Sequence, residues 1–252
     1  MFNLNGKVVW VTGSSTGIGR AIAVKFAENG ASVVVHGNGN KAAAKKTWEE
    51  VQSMGGKSLL VLGDVTDRSQ VDRMTEEIDK KFGRIDILIN NAGTMVKRAK
   101  VEDIELETLE KIIAINFTSV VQVTQSVLPL MKQQKTGAII NMTSIAARNG
   151  GGGGAVTYAA AKGAVSTLTR GLAKELAENG IRVNGIAPGV IETPFHERYS
   201  TPELVEKMVA SAPLGRAGTA EEIAGAALYL ASELASYVTG EIIEVNGGML
   251  MD

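Results

Sequence analysis

The chain has 252 residues, 44% of them hydrophobic and 21% charged, with 26 basic against 27 acidic side chains and a formal charge of −1. That is the profile of a globular protein with one large core, and it excludes the strongly basic surface that binds nucleic acid non-specifically. Cysteine is absent and the two histidines are His36 and His196, so disulfides, thiolate catalysis and Cys- or His-rich metal sites are excluded and no metal is expected.

The first residues run straight into a strand-like segment with neither the basic start nor the long apolar stretch of a signal peptide. No apolar run approaches the ~20 residues of a membrane helix, and the expectation is a cytoplasmic protein without membrane partners. Short β-branched runs predict strands at Lys7–Thr12, Ser32–His36, Leu59–Asp64, Ile85–Asn90, Ala138–Thr143, Arg182–Ala187 and Ile242–Val245. Several are apolar almost throughout, as strands buried on both faces are. Between them, amphipathic spacing predicts helices at Gly17–Asn29, Lys41–Ser53, Arg68–Phe82, Leu106–Lys132, Thr157–Glu178 and Ala220–Glu233. Asn29-Gly30 and Asn179-Gly180 supply helix stops. Strand and helix alternate over residues 1–252 with no linker or repeat, which predicts a single α/β domain, doubly wound, with a sheet of about seven parallel strands covered on both faces. Residues 195–213 break the pattern after the sixth strand and are expected to form a substrate lid, an ordinary surface insertion being the alternative.

The first strand ends in Thr12-Gly13-Ser14-Ser15-Thr16-Gly17-Ile18-Gly19 and a helix follows. Glycines here let the backbone turn tightly and approach a pyrophosphate, while the helix N-terminus offers free N–H groups. The same residues satisfy Gly-x-Ser-x-Gly, the nucleophile elbow of α/β-hydrolases, with His196 as the available base. Only one strand precedes Ser15, and no His-Gly-Gly segment is present, which disfavours the hydrolase.

Tyr158 and Lys162 are one helical turn apart on a predicted helix and share a face. An ammonium beside a phenol favours the phenolate and lowers a pKa that is otherwise near 10. Taken with the glycine turn, the Asp64-Val65 pair, Asn90-Asn91-Ala92-Gly93, Asn116, Ser144, Pro188-Gly189, Thr193 and the closing Asn246-Gly247-Gly248, the sequence resembles the short-chain dehydrogenase/reductase family over nearly its whole length. The resemblance implies hydride transfer between a nicotinamide and a small-molecule carbonyl or secondary alcohol. It makes Tyr158 the proton donor, Lys162 the residue that tunes it and holds the nicotinamide ribose, Ser144 the hydrogen-bond partner of the substrate oxygen, and Asn116 the holder of a relay water. It places Gly13, Ser15, Gly17, Ile18 and Gly19 at the pyrophosphate, Asp64 and Val65 by the adenine, and Asn91, Ala92 and Gly93 along the adenosine ribose. Pro188, Gly189, Ile191 and Thr193 meet the nicotinamide end. Asp64 as a plain helix cap is the competing reading, although Asp67 is better placed for that. The family also implies a homo-oligomer, dimer or tetramer, through the helices at Leu106–Lys132 and Thr157–Glu178.

Members that prefer NAD carry an acid at the end of the second strand. Here that region reads His36-Gly37-Asn38-Gly39-Asn40-Lys41, which leaves room at Gly37 and Asn38 for a 2′-phosphate and favours NADP, with NAD the alternative. An aspartate at Gly37 is then expected to move preference to NAD. Ser144 and Tyr158 stand one residue further apart than is usual in the family, and Gly150–Gly154 absorb the difference in a flexible or tightly folded loop. This run and residues 191–196 are similar to reductases of keto-sugar acids from uronate breakdown. Arg148, His196 and Arg198, with Lys97 and Arg98, could receive such an anion; each is otherwise an ordinary surface charge. The chain also resembles 3-oxoacyl-acyl-carrier-protein reductases. A non-catalytic dinucleotide-binding protein is the remaining alternative, and the intact Ser144, Tyr158 and Lys162 speak against it.

Overall fold

A computed structural model describes residues 2–251. The strands are β1 (Val8–Val11), β2 (Ser32–Gly37), β3 (Ser58–Leu62), β4 (Ile87–Asn90), β5 (Gly137–Met142), β6 (Ile181–Pro188) and β7 (Ile242–Val245). They form one parallel sheet in the order β3-β2-β1-β4-β5-β6-β7. The helices are α1 (Gly17–Glu28), α2 (Lys41–Ser53), α3 (Arg68–Phe82), α4 (Leu106–Ile113), α5 (Ser119–Gln134), α6 (Ala146–Asn149), α7 (Val156–Leu176), α8 (Pro194–Tyr199), α9 (Pro202–Ala210) and α10 (Ala220–Ala231).

Alternation within each strand builds two cores. Val9, Val11, Val33 and Val35 face α1 and α10, joining Ile22, Phe26, Ile223 and Leu228. Val8, Trp10, Val34 and Leu88 face the other side, with Met74 and Ile78 of α3, Val123 and Val127 of α5 and Leu176 of α7. Burial on both faces explains why these strands read as apolar runs rather than as alternating ones. The chain winds outward from β1 to β3, then crosses back to place β4 on the other side of β1. That reversal opens a crevice at the C-terminal ends of β1 and β4, where such sheets bind ligands.

Three expectations change. The helix expected at Leu106–Lys132 contains a π-helical turn, Ala114–Thr118, in which Ser119 N–H reaches back to Ala114 O. The continuous run Leu106–Gln134 is also long and apolar enough to cross a membrane by length and composition, contrary to the reading of the sequence. Its apolar residues Ile112, Val120, Val123, Val127 and Met131 are buried, and the run packs on α3 and α7; core packing thus accounts for its hydropathy. Residues 195–213 are not an irregular insertion. They form most of α8 and all of α9, each opened by a proline in its first turn, where a missing N–H costs nothing.

Candidate active site

The crevice deepens into a cavity of about 870 Å³. Its floor is the turn between β1 and α1. Gly13 and Gly17 adopt φ of +63° and +56°, the left-handed region that glycine enters without strain. A Cβ on Gly13 would come within 2.9 Å of Ala92 Cα, and one on Gly19 would overlap Gly13 O. The turn is stitched to β4 through Thr12, whose Oγ1 accepts from Asn91 N–H at 2.9 Å and Ala92 N–H at 3.1 Å. Asn91 Nδ2 donates to Thr12 O and Gly13 O at 2.9 and 3.0 Å, so its carboxamide braces the turn. Thr16 caps α1 without a side-chain hydrogen bond, and the first turn carries no acid. The helix thus presents a glycine cradle and unsatisfied N–H groups, the donor set a pyrophosphate requires.

At the other end, Ser144, Tyr158 and Lys162 line the cavity together. Ser144 follows β5, and its hydroxyl accepts from Ala146 N–H at 3.1 Å. Lys162 is buried, donates to Met142 O at 2.8 Å, and lies 5.8 Å from the Tyr158 ring centre. Burial lowers its pKa to about 8. Tyr158 moves the other way: burial pushes it up to about 12, against the lowering effect of the Ser144 hydrogen bond. Desolvation of the phenolate thus sets the direction for Tyr158, above its ordinary value rather than below it.

Asn116 is fully buried in the π-helical turn and does not reach the cavity wall. Its Oδ1 accepts from Thr94 N–H at 3.1 Å, and its Nδ2 donates to Thr94 O and Ile112 O at 2.7 and 2.8 Å. Gly93 separates it from Lys162: a Cβ there would meet Asn116 Oδ1 at 2.8 Å and Lys162 Nζ at 3.3 Å. Pro188, Gly189, Ile191 and Thr193 line the cavity, and a Cβ on Gly189 would collide with Asn246, which ties the closing Asn-Gly-Gly to the site.

Ser15, Gly17, Ile18, Gly37, Asn38, Val65, Asn91, Ala92 and Gly93 also face the cavity; Asp64 does not. β3 stops at Leu62, and Asp64 Oδ1 turns to Thr66, accepting from its N–H and Oγ1 at 2.8 and 2.7 Å. Asp67 caps α3. Gly37 has no room for a side chain, because a Cβ would overlap that of Ala44 on α2.

The expected anion receptors separate. His196 lines the cavity, its pKa lowered by burial and by Arg98. Arg148 and Arg198 do not line it: Arg148 reaches Glu244 at 3.4 Å, and Arg198 lies over the Tyr199 ring. Arg98 is at the wall, but its fork is engaged, with Nε donating to Tyr199 O and NH1 to Gly152 O and Gly153 O at 3.1 and 3.0 Å. Four of the five glycines at 150–154 have positive φ, so this loop is tightly folded. Phe195 packs on Tyr158 with ring centres 5.9 Å apart. Leu204, Lys207, Met208 and Ser211 extend the wall. The sequence reading missed these four, although their i, i+3, i+4, i+7 spacing was available as a signal. Met95, Ile145 and Met249 complete an apolar lining.

A family model described as enoyl-(acyl carrier protein) reductase matches residues 13–250. A 3-oxoacyl-[acyl-carrier-protein] reductase of Thermotoga maritima is 40% identical over 249 residues, 98% of this chain and 99% of the relative. A 7α-hydroxysteroid dehydrogenase of Escherichia coli is 39% identical over 253 residues, 98% of each chain. Among solved structures, a 7α-hydroxysteroid dehydrogenase complexed with NADH and 7-oxo glycochenodeoxycholic acid superimposes with a TM-score of 0.93, at 37% identity, over 99% of this chain and 96% of that one.

Proposed function

The chain belongs to the short-chain dehydrogenase/reductase family of NAD(P)-dependent oxidoreductases, and from that premise we propose that it interconverts a ketone and a secondary alcohol on a substrate with an apolar body, with Tyr158 as the proton donor. The observation that carries this reading is the convergence of Ser144, Tyr158 and Lys162 in the same cavity as the glycine turn. A bound nicotinamide dinucleotide supplies or accepts the hydride. In the reductive direction Ser144 Oγ hydrogen-bonds the carbonyl oxygen and steadies its developing charge. Tyr158 gives its proton to that oxygen. The buried Lys162 ammonium stabilises the phenolate left behind, and Asn116 fixes the Thr94 backbone beside it. Residues 195–213 contribute the outer wall, and we assign them the lid role.

NADP(H) is the proposed cofactor. The β2–α2 region facing the cavity is His36-Gly37-Asn38-Gly39-Asn40, which has no carboxylate to repel a 2′-phosphate. The first turn of α2 carries no acid and begins with Lys41. The steroid dehydrogenase structure contains NADH, so NAD is the competing choice. Met95, Ile145, Phe195, Leu204, Met208 and Met249 suit an acyl chain or a steroid-like skeleton better than a polyhydroxylated sugar acid. With Arg148 and Arg198 off the cavity, the sugar-acid reading keeps His196, Lys207 and an Arg98 whose guanidinium is already engaged by backbone carbonyls. Among these substrates the 3-oxoacyl thioester is favoured by the similarity to acyl-carrier-protein reductases. A homo-oligomer belongs to the same proposal, supported by exposed Val101, Leu106 and Val156 beside α4 and α7.

The test follows loss of reduced-nicotinamide absorbance, with NADPH and NADH each crossed against a 3-oxoacyl thioester, a steroid ketone and an acidic keto sugar. Turnover of either apolar substrate with NADPH is the expected result. Turnover of the sugar acid alone overturns the substrate reading.

A further inference from the structure

His36 is 2% exposed, yet both of its ring nitrogens are bonded. Gly13 N–H donates to Nδ1 at 2.8 Å, and Nε2 lies 3.0 Å from Gly63 O. A backbone N–H can only donate and a carbonyl only accept, so these two partners require the neutral Nε2–H tautomer. The His36 backbone is also paired to the turn: its N–H donates to Ser14 Oγ at 2.8 Å and its carbonyl accepts from Ser14 N–H at 3.0 Å. Gly13, the first residue of the turn, is thus gripped from two strands, at its N–H by His36 of β2 and at its carbonyl by Asn91 beyond β4. Its φ of +63° leaves the peptide few ways to reorient without losing one of these bonds.

We propose that His36 is a positioning residue of the cofactor site: its neutral imidazole, held as one tautomer between Gly13 and Gly63, sets the glycine turn in the conformation that receives the dinucleotide pyrophosphate. This rests on the reading that the cavity takes a nicotinamide dinucleotide. A proton on Nδ1 would point one donor at another, and the Gly13 bond would break. The surroundings keep that proton away. Burial holds the ring below the ordinary imidazole value, while the Gly63 carbonyl and the Asp64 carboxylate pull the other way. Of the charged residues on neighbouring elements, Asp64 is the one that acts on the ring by its charge; the Arg73 guanidinium of α3 donates to Leu62 O at 2.8 Å, and Lys41 opens α2. The β1–α1 turn contributes only the Gly13 N–H to the ring's bonding. Cofactor affinity is therefore full at neutral pH and falls once acid protonates the ring.

The experiment titrates NADPH and NADH by nicotinamide fluorescence into wild type, His36→Asn and His36→Phe between about pH 5 and pH 8. NADH carries the decision, because the NADPH 2′-phosphate itself ionises near pH ~6. Wild type is expected to lose NADH affinity on the acid side. His36→Asn, whose Oδ1 can accept from Gly13 N–H but does not titrate, should bind with nearly wild-type affinity at neutral pH and lose the acid limb. His36→Phe should bind about tenfold or more weakly at every pH. An acid limb in His36→Asn equal to that of wild type overturns the proposal, and this arm decides even if thermal unfolding shows His36→Phe to be misfolded. A folded His36→Phe with wild-type affinity also overturns it. Failure of wild type to bind either cofactor instead overturns the cofactor reading on which it rests.

Discussion

Gly37→Asp is the substitution that the sequence recommends for moving cofactor preference toward NAD, and the structure predicts that it fails alone. Gly37 closes β2 opposite Leu62, and a Cβ there overlaps the Cβ of Ala44, a fully buried residue of α2. Neither atom can rotate away, so α2 must shift. Overpacking of this kind costs about 1–3 kcal/mol, or about 2–12 °C in Tm for a chain of this size. The displaced α2 also carries the Asn40 cap and Lys41 at the adenosine end, so both cofactors should bind more weakly with little change in their ratio. Ala44→Gly opens the space at the helix-propensity cost of about 1 kcal/mol. In Gly37→Asp/Ala44→Gly the carboxylate is accommodated, repels a 2′-phosphate and accepts from a 2′-OH. Preference should then move toward NADH by about tenfold or more. Thermal unfolding and fluorescence titration of both cofactors on the two single variants and the pair test this. A single Gly37→Asp variant with wild-type Tm and switched preference would refute the steric argument, as would strict additivity of the two Tm changes.

Tyr158→Phe should lower turnover by about 10²–10⁴-fold while leaving NADPH affinity and Tm close to wild type, measured by steady-state rates and titration. Lys162 supplies a pH signature: its folded pKa of about 8 lies below the ordinary 10.5, so below pH 8 the folded state holds a charge that burial disfavours. Wild-type stability should rise as pH goes from 8 toward 10.5, and Lys162→Met should raise Tm at pH 7 but not above pH 10.5; a Tm gain independent of pH would count against burial as the cause. Arg148→Ala and Arg198→Ala should leave KM within about twofold for charged and uncharged substrates alike. Arg98→Ala, which frees Gly152, Gly153 and Tyr199 from one another, should raise KM without changing NADPH affinity; unaltered KM would deny Arg98 its role in shaping the wall.

The parts legible in the sequence are those set by local rules. Buried parallel strands announce themselves as apolar β-branched runs, Asn29-Gly30 and Asn179-Gly180 end helices because Gly30 and Gly180 adopt positive φ, and Tyr158 and Lys162 share a face because a helix turns every 3.6 residues. The glycine turn is of the same kind, since its spacing is needed within one strand–helix junction. What stayed hidden depends on partners distant in sequence. Asp64 stands two residues beyond the end of β3, and its Oδ1 turns to Thr66, a partner that the strand pattern does not reveal. Arg148 and Arg198 follow the right strands and face the wrong way, because orientation comes from the packing of α6 and α8. Gly37 looks like open space in the sequence and is closed by Ala44. His36, a strand residue without an obvious partner, acquires its tautomer from Gly13 and Gly63 on two other loops. Sequence spacing determines which side chains share a face; only the packed sheet, by bringing separate strand ends within hydrogen-bond reach, decides what each face meets.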